Sequence, residues 1–388
     1  MYLERRLESE LVDLSSSYPV VTVTGPRQSG KTTLIRHCFP DKPYFSLEDP
    51  DLRQLVNQDP RGFLNQFKDG VLLDEIQNTP QLPSYIQGIV DESQKSGQFI
   101  LSGSQQFELL HSITQSLAGR SALLTLLPFS LAEVHLYPQQ YTLDQLLLTG
   151  FYPRLYVQKQ SPTKAHRNYY KTYIERDLRK LINIRDIRLF EKFVRLCAGR
   201  IGNVFVASNL ANEVGVSSKT IQAWLSLLEA SYIVCLLQPY YANIGKRLIK
   251  SPKLYFYDVG LASYLLGIQT EAQLSRDPLR GALFENMVVI ECMKARLNQG
   301  LEHNLYYYLD QHKNEVDLIY TYGNQLLPIE IKSATTYHKE FTKGLTYVKR
   351  LFGDNIHRGY VIYAGDYQQE IDWICLTNYN SAGKIFAD

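Results

Sequence analysis

The sequence predicts an α/β protein that begins with a mostly parallel sheet flanked by helices and continues into further α/β structure. Three observations lead to this prediction. Apolar runs alternate with amphipathic segments through the first 130 residues, a glycine-rich loop follows the first of these runs, and the order helix, strand, strand, helix, strand begins at about residue 281. Alternation of strands with helices is typical of parallel sheets.

The composition is that of a soluble globular protein, with 45% hydrophobic and 21% charged residues in a chain of 388. A chain of this length can form two or three domains with sizeable cores. The net charge of +2 is too small to indicate nucleic-acid binding by itself. Any such function must therefore come from local patches of charge.

We expect a cytoplasmic protein that does not associate with membranes. Its five cysteines are scattered and odd in number, which fits a reducing compartment better than a disulfide framework. The first residues, MYLERRLESELVDL, are too charged for a signal peptide. No apolar run approaches the length of a membrane span.

Four segments are predicted along the chain. The first carries the strand-like runs PVVTVTG, YFSL, GVLLDEI and QFILSGS, with helix-like stretches between them. A helical lid or connector follows, then a short unit of helices and strands, and finally a second α/β domain. The predicted boundaries are 1–140, 141–200, 201–258 and 259–388.

The stretch GPRQSGKT predicts a phosphate-binding loop. It matches G-x-x-x-x-G-K-[ST] and lies between the strand PVVTVT and the helical TTLIRHCF. Its glycines let backbone N–H groups surround phosphate oxygens, and the helix N-terminus adds a favourable dipole. We expect Lys31 to reach the outer phosphates of ATP and Thr32 to hold Mg²⁺. The predicted nucleotide-binding residues are Gly25, Pro26, Arg27, Gln28, Ser29, Gly30, Lys31, Thr32, Thr33 and Ser104.

Two further strand ends extend this prediction. In VLLDEI, Asp74 is expected to support the Mg²⁺ ion and Glu75 to orient the attacking water. In LSGS, Ser102 or Ser104 is placed to sense the γ-phosphate. A glycine-rich loop can occur by chance, but three motifs in this order, each at the end of an apolar strand, favour a nucleotide site.

Two arginines are candidates for stabilising charge on the transferred phosphate. Arg120 in LAGR and Arg154 in GFYPR could act in cis or from a neighbouring subunit of a homo-oligomer. Surface arginines are common, so an ordinary surface role is the alternative for both residues.

The stretch FVASNLANEVGVSSKTIQAWLSLLEASYIVCLLQPY predicts a winged helix, that is, helix, turn, helix and then strands. Gly215 is expected to make the turn and Ser217 to cap the second helix. Apolar residues at helical spacing predict the buried faces of the two helices, formed by Leu210, Ala211, Val214, Ile221, Trp224, Leu225 and Leu228.

This unit is a candidate DNA-binding surface. Lys219, Thr220 and Gln222 would point outward, where a recognition helix meets a groove. A basic group in the expected wing could contact phosphates, and it consists of Lys246, Arg247, Lys250 and Lys253. The alternative is a packing platform that touches no DNA.

Near the C-terminal end, a Gly323-Asn324 pair predicts a two-residue hairpin turn of type II′. Counting outward from it places Leu318 opposite Ile329 and Asp317 opposite Glu330, with Lys332 on the same face. Opposed like charges destabilise a strand pair, whereas a hard divalent cation would bind both carboxylates. Pro328 suggests that the second strand is an edge strand.

Several motifs resemble a widespread group of prokaryotic AAA-type P-loop ATPases whose C-terminal half is a domain of unknown function. They are GPRQSGKTTL, LLDEIQ, LSGSQ, LAGR and LPFSLAEV, followed by YIERDL, KRLIKSPKLYFYDVGL, GALFEN, EVDLIY and LPIEIK, so the resemblance covers nearly the whole chain. It implies ATP binding and hydrolysis. Related ATPases that carry a helix-turn-helix suggest DNA-related or regulatory work.

The C-terminal carboxylates resemble a second pattern, the PD-(D/E)XK nuclease core of the Holliday-junction-resolvase type. That pattern takes a Glu from a helix, here Glu285 in the amphipathic GALFENMVVIECMKAR, an Asp from one strand and Glu-x-Lys from the next, here Asp317, Glu330 and Lys332. The resemblance implies that Glu285, Asp317 and Glu330 bind Mg²⁺ or Mn²⁺ and that Lys332 positions the nucleophile. The proline of the pattern is absent, since Val316 precedes Asp317.

Two functions remain open. The first is an ATP-driven enzyme that acts on DNA, with catalytic residues at both sites, namely Lys31, Glu75, Arg120, Asp317, Glu330 and Lys332. The second is a nucleotide-dependent switch that binds DNA or protein partners through a catalytically inert C-terminal domain. Glu-x-Lys alone is a weak motif, because exposed strands often pair these residues, and a fold does not establish a reaction.

Overall fold

The computed structural model describes residues 2–93, 95–104, 116–173, 186–240 and 251–386. Contacts divide the chain into two units. The first contains Met1–Phe129, Ala230–Tyr232 and Leu297–Leu301, and the second contains Ser130–Glu229, Ile233–Arg296 and Glu302–Asp388. The first unit has a parallel sheet with helices and the second has a mixed sheet with helices. The α/β prediction is confirmed.

The first unit is built on five parallel strands in the order β2-β3-β4-β1-β5. All five residues of the first strand, VVTVT, are buried, as expected for a strand covered on both faces. The strands are β1 (Val20–Thr24), β2 (Tyr44–Ser46), β3 (Val71–Asp74), β4 (Phe99–Ser102) and β5 (Ser121–Thr125), and the helices are α1 (Glu8–Ser17), α2 (Lys31–Cys38), α3 (Pro50–Gln58), α4 (Pro60–Leu64) and α5 (Leu82–Ser93).

The strand order brings the predicted nucleotide motifs together. Parallel strands end at one edge of their sheet, and β3, β4 and β1 are neighbours. The glycine-rich loop follows β1, Asp74 ends β3, and Ser102 ends β4. Separate apolar clusters, one containing Leu73 and Leu101 and the other Val21 and Leu34, pack on either side of these strands and hold the edge in place.

Along the chain, most of the described helices come after the five-stranded parallel sheet and before the six-stranded sheet. Residues 76–78, 339–342, 353–355 and 379–386 form short 3₁₀ turns. The helices from residue 131 to residue 297 are α6 (Leu131–Val134), α7 (Leu143–Thr149), α8 (Pro153–Val157), α9 (Pro162–Tyr169), α10 (Ile187–Ala198), α11 (Ala207–Val214), α12 (Ser218–Ala230), α13 (Val259–Leu265), α14 (Glu271–Leu274) and α15 (Arg280–Leu297). No helix in the described ranges is both long and apolar enough to cross a membrane.

The helix pair α11–α12 follows the predicted pattern. Gly215 ends α11 with φ of 90°, and the Ser217 hydroxyl accepts a hydrogen bond from the Thr220 N–H at 3.1 Å. All seven apolar residues predicted for the inner faces are buried. An antiparallel hairpin follows, formed by β6 (Val234–Leu237) and β7 (Lys253–Phe256).

Helix α15 is buried on almost every side rather than amphipathic, so that part of the expectation was wrong. Polar residues occur around its circumference, but Asn286, Glu291 and Lys294 are all buried and find partners there. The Lys294 Nζ, for example, lies 3.7 Å from Glu291 and 4.0 Å from the centre of the Phe151 ring. The positions of polar residues in the sequence therefore did not identify a solvent-facing side of α15.

The second unit contains a six-stranded mixed sheet in the order β12-β13-β11-β10-β9-β8. The sequence predicted three strands here. It missed three of the six, among them β8, whose LYYYL lacks an alternating pattern, and β12, which has three exposed residues. The elements are β8 (Leu305–Leu309), β9 (Glu315–Tyr322), β10 (Gln325–Lys332), α16 (Lys343–Phe352), β11 (Gly359–Tyr363), β12 (Gln369–Ile371) and β13 (Ile374–Asn378).

The β9–β10 register is the predicted one, running from Tyr322 opposite Gln325 to Leu318 opposite Ile329. Gly323 has φ of 55°, the sign that a type II′ turn requires at its first central position. The edge-strand expectation for β10 was wrong, since this strand lies between β9 and β11. Pro328 is tolerated because pairing with β11 begins only at Ile329, one residue later.

Candidate functional site

The loop between β1 and α2 has the backbone of a phosphate-binding loop. Gly25 has φ of 141°, and Gly30, at the N-cap of α2, has φ of 95°, conformations that strain a residue with a side chain. At Gly25 a Cβ would also lie 2.1 Å from the carbonyl oxygen of Leu126. The loop leads into the N-terminus of α2, where helix N–H groups favour an anion.

Lys31 is buried, and its Nζ donates hydrogen bonds to the carbonyl oxygens of Gly25 (3.0 Å) and Pro26 (2.9 Å). Burial lowers the pKa of Lys31 to about 8, against the opposing effect of Glu75 and Asp74. The buried Ser29 hydroxyl has no hydrogen-bond partner within the described part of the chain. A phosphate would give the ammonium a charged partner and the hydroxyl an acceptor, so this loop fits a nucleotide.

Asp74 is buried at the end of β3 and is held by three hydroxyl groups. Its Oδ2 accepts hydrogen bonds from Thr32 (2.8 Å) and Tyr44 (2.9 Å), and its Oδ1 accepts one from Ser102. Thr32 and Asp74 are the pair predicted to hold Mg²⁺, and they are in direct contact. An ionised carboxylate next to a hydroxyl is a suitable oxygen donor set for that ion.

Glu75 has an unusual backbone conformation at this edge of the sheet. It has φ of 55°, which is uncommon for a residue with a side chain. Its Oε2 accepts hydrogen bonds from the Ser104 hydroxyl at 2.9 Å and from the Gln77 amide. These two donors fix the direction of the carboxylate. Strained backbone of this kind is often retained at functional sites.

Three residues of this site were not found from the sequence. Tyr44 contacts Asp74, and Gln77 contacts Glu75. Arg5 donates to the carbonyl oxygens of Ser29 and Leu127, both at 2.7 Å, and so ties the glycine-rich loop to the chain after β5. Only Gln77 could have been found from nearby sequence, because it lies two residues after Glu75. The partners of Tyr44 and Arg5 are 30 and 24 residues away in the chain.

The remaining predicted loop residues surround this core. The Arg27 guanidinium lies 3.9 Å from the Glu48 carboxylate. Gln28 is exposed with φ of 65°, and Thr33 is exposed on α2. Pro26 is buried and presents its carbonyl oxygen to Lys31.

The structure contradicts a role in cis for Arg120. This residue precedes β5 at the edge of the sheet opposite the glycine-rich loop, and its backbone carbonyl pairs with Val20 at the start of β1. A strand of five residues, roughly 16 Å, separates the two edges. The Arg120 side chain forms an exposed ion pair with Asp91. A role in a neighbouring subunit stays a prediction. Arg154 is exposed and donates to Gln158 at 2.8 Å.

The predicted DNA-contact residues are only partly described. Lys219 and Gln222 are exposed on α12, and Thr220 is half-buried beside Ser217. Lys246, Arg247 and Lys250 lie outside the described residues. The expectation that Lys253 contacts phosphates as part of the wing was wrong, because its side chain is 3% exposed and is paired with carboxylates. Its sequence neighbours are basic, and this misled the prediction.

The predicted C-terminal carboxylates line one cleft of about 460 Å³. Continuing the β9–β10 register places Asp317 opposite Glu330. The Lys332 Nζ lies 3.0 Å from Asp317 Oδ2 and also contacts Glu330 Oε2. Glu285 enters the cleft from α15. The other residues that line it are Lys313, Asn314, Glu315, Lys343, Gly344 and Tyr347.

Gly344 is a further cleft residue that the sequence did not reveal. A Cβ at this position would lie 2.1 Å from Glu330 Oε1 and 2.4 Å from the carbonyl oxygen of Glu315. The first turn of α16 therefore approaches Glu330 more closely than a residue with a side chain would allow.

Burial and charge divide the cleft carboxylates into two kinds. Burial would raise the pKa of Asp317, but Lys332, Lys253 and the Ile331 N–H hold it below its usual value. Burial and the neighbouring Asp317 raise the pKa of Glu330 well above its usual range, and they also raise that of Glu285. As pH falls, Glu330 is therefore expected to take up a proton before Asp317 does.

The cleft offers oxygen ligands of the type that Mg²⁺ and Mn²⁺ prefer, but they are not grouped to receive an ion. Across the described ranges, no three His, Cys, Asp or Glu side chains are arranged to hold a metal. Lys332 lies between Asp317 and Glu330, and Lys253 lies between Glu285 and Glu315. Binding of a divalent cation would therefore require side-chain rearrangement.

Comparison with known families divides the chain into three matched regions. A family model described as an AAA domain matches residues 17–135. Two models described as domains of unknown function, DUF8612 and DUF4143, match residues 140–272 and 280–381. The first of these regions contains the glycine-rich loop with its Asp74 and Glu75 partners.

Two curated relatives are mycobacterial. The uncharacterized proteins Rv2008c of Mycobacterium tuberculosis and Mb2031c of Mycobacterium bovis are each 32% identical over 323 residues, which is 82% of this chain and 71% of each relative. Among solved structures, a Walker-type ATPase of Pyrococcus abyssi aligns with 15% identity and a TM-score of 0.47, over 68% of this chain and 96% of its own.

Proposed function

The chain belongs to the same family as the mycobacterial proteins Rv2008c and Mb2031c, and we propose that it is a Mg²⁺-dependent ATPase whose nucleotide state controls a DNA-acting second unit. The observation that carries the ATPase part is the convergence of Lys31, Thr32–Asp74 and Glu75 at one sheet edge. The AAA domain match covers all of these residues.

Each residue of the edge has a distinct role in this proposal. Lys31 exchanges its two carbonyl acceptors for the outer phosphates, where its charge stabilises the transferred group. Thr32 and Asp74 would hold a Mg²⁺ ion, and this ion would neutralise part of the phosphate charge. Glu75, aimed by Ser104 and Gln77, orients the attacking water. Ser29 donates its hydroxyl, which has no partner among the described residues, to a phosphate oxygen.

The ATPase proposal is tested by phosphate release from Mg²⁺-ATP and by ATP affinity. Lys31→Ala is expected to lose measurable affinity and to reduce turnover at least 100-fold. Lys68→Ala, which removes an exposed lysine of the same unit, is the matched control and should behave as wild type. ATP affinity and turnover that survive in Lys31→Ala would overturn the proposal.

For the second unit, the proposed activity is divalent-cation-dependent cleavage of DNA. The carrying observation is that Lys332 contacts two buried carboxylates on neighbouring strands, Asp317 of β9 and Glu330 of β10. In this proposal Asp317, Glu330 and Glu285 would hold Mg²⁺ or Mn²⁺, an ion that would lower the pKa of a bound water. Lys332 would position the nucleophile and offset charge in the transition state.

The cleavage test uses branched, single-stranded and duplex DNA with Mg²⁺ or Mn²⁺, with and without ATP. Asp317→Asn should lower the rate at least 100-fold. Asp354→Asn, an exposed change of the same type, should leave it unchanged. Cleavage that persists in Asp317→Asn comes from another source and rules out this site.

The alternative function is a nucleotide-dependent switch with an inert second unit. One observation favours it, since Lys332 and Lys253 already satisfy all four cleft carboxylates. Nucleotide-dependent binding of DNA without cleavage of any substrate in either metal would support the switch.

DNA contact is proposed for two groups of residues. The first is on α12 and consists of Lys219, Thr220 and Gln222, and the second follows β6 in sequence and consists of Lys246, Arg247 and Lys250. Lys219→Gln should weaken duplex binding and reduce the salt slope by about 0.9, as expected for one lost phosphate contact. Lys339→Gln, an exposed lysine elsewhere in the unit, is the control. Affinity that does not depend on salt would contradict this interface.

A further inference from the structure

Lys253 is a buried lysine that neither proposed activity uses. It is the first residue of β7, and its side chain is 3% exposed. Its Nζ lies 3.4 Å from Glu285 Oε1 on α15, contacts Glu315 Oε1 at the start of β9, and is 5.5 Å from the centre of the Tyr307 ring. A lysine is rarely buried to this extent unless it is paired.

The strand that carries Lys253 is fixed against α15. Tyr255, two residues along on the same face of β7, donates its hydroxyl to Glu285 Oε1 at 2.6 Å. The side-chain amide of Asn286 forms hydrogen bonds with both the N–H and the carbonyl of Phe256, at 2.7 and 2.9 Å. Glu285 is therefore held by two side chains from β7, Lys253 and Tyr255.

The charges of the cleft indicate what Lys253 does there. Lys253 contacts Glu285 and Glu315, Lys332 contacts Asp317 and Glu330, and Lys313 and Lys343 also line the cleft. Lys253 occupies the side of Glu285 that faces Glu315, and its charge also acts on Asp317. A cation at Glu285 and Asp317 would therefore be repelled by the Lys253 ammonium.

We propose that Lys253 is a positioning residue and an internal competitor of the divalent cation, holding Glu285 in the cation-free cleft and being displaced from it when the ion binds. This inference rests on the cation site of the proposed function. It adds that the affinity of this site is set by a residue of the β6–β7 hairpin, outside the carboxylate motif.

The test measures Mn²⁺ binding to the full chain, stripped with EDTA and free of nucleotide, by titration calorimetry. Lys253→Met is expected to bind Mn²⁺ at least tenfold more tightly than wild type, and this gain should vanish in Lys253→Met/Asp317→Asn. Lys253→Arg keeps the charge and should bind as wild type. Lys343→Met removes a lysine from the same cleft that is 73% exposed, and should change affinity less than twofold because water screens that charge.

A second measurement uses the unaltered protein, since Lys253→Met removes a buried partner and could fail to fold. A small amine-acylating reagent, followed by mass spectrometry, should label Lys253 at least threefold faster when Mn²⁺ is added. Labelling of the exposed Lys339 should not change.

The outcomes separate the two proposals. Asp317-dependent Mn²⁺ binding that is equal or weaker in Lys253→Met, with no change in Lys253 labelling, overturns the competitor role and leaves the cation site intact. Absence of Asp317-dependent binding in every variant overturns the cation site and this inference together.

Discussion

The two candidate sites each hold a lysine near carboxylates, but the lysines differ in burial and in their partners. Lys31 donates to two backbone carbonyls, and burial lowers its pKa to about 8. Lys332 is bonded to Asp317 and Glu330, which raise its pKa against the effect of burial. The first lysine has weak partners that a phosphate can replace. The second is already neutralised, so its site must rearrange before it can accept a ligand.

The largest expected effect concerns the nucleotide site. Glu75→Gln keeps the shape of the side chain but removes the acceptor that orients water, so ATP turnover should fall at least 100-fold while ATP affinity stays within about threefold of wild type. Single-turnover phosphate release and nucleotide titration measure the two quantities. A variant that loses affinity as strongly as turnover would show that Glu75 holds the nucleotide rather than the water.

The next effect tests how rigid the nucleotide loop is. Gly25→Ala places a methyl group against the Leu126 carbonyl in a strained conformation, and it should lower the free energy of unfolding by about 3 kcal/mol. Gly88→Ala on the exposed face of α5 meets no atom within 4 Å, and it should raise that free energy by about 0.5 kcal/mol. Denaturant unfolding measures both. Equal effects would mean that the loop has room for a side chain.

The two lysines should respond with opposite signs when each is replaced by methionine. Without nucleotide at pH 7, Lys31→Met removes a buried charge whose hydrogen bonds, among the described residues, go to backbone carbonyls, and should stabilise the protein by about 2 kcal/mol. Lys332→Met leaves Asp317 and Glu330 facing each other, and should destabilise it by about 1 kcal/mol, since the Lys332 side chain is 31% exposed and partly screened. Changes of the same sign would remove the distinction between the sites.

The smallest effect is a dependence on pH. Because the pKa of Lys31 falls from 10.5 to about 8 on folding, the unfolded chain binds more protons between these values, and stability without nucleotide should rise with pH across that window. The raised pKa of Lys332 gives no such rise there, since it is protonated in both states. The difference between wild type and Lys31→Met, followed by thermal unfolding from pH 7.5 to 10, isolates this rise. A flat difference would contradict the lowered pKa.

Much of both sites followed from local sequence. The glycine-rich loop, Asp74 and Glu75 are adjacent to apolar strands, and the Gly323-Asn324 turn sets the register of Asp317 and Glu330 by counting alone. These signals lie within a few residues of the side chains that they place, so no knowledge of tertiary structure is needed.

What the sequence missed depends on contacts between distant segments. Tyr44 and Arg5 reach the nucleotide site only because the sheet brings their strands and loops together. Arg120 lies in the motif LAGR, but β5 runs parallel to β1, so Arg120 lies at the edge of the sheet opposite the glycine-rich loop. Lys253 follows a run of basic residues and yet turns inward, which no composition could indicate.

The contacts of Lys253, Tyr255 and Asn286 also bear on how such a protein can be taken apart or recombined. The last of the three matched family regions spans residues 280–381, and it contains every member of the carboxylate motif. It does not contain β7, which supplies two of the side chains that hold Glu285. A gene fragment that begins at residue 280 would encode the carboxylate motif without the two β7 side chains that hold Glu285. If relatives exchange domains, we therefore expect the β6–β7 hairpin and the carboxylate cleft to be exchanged together.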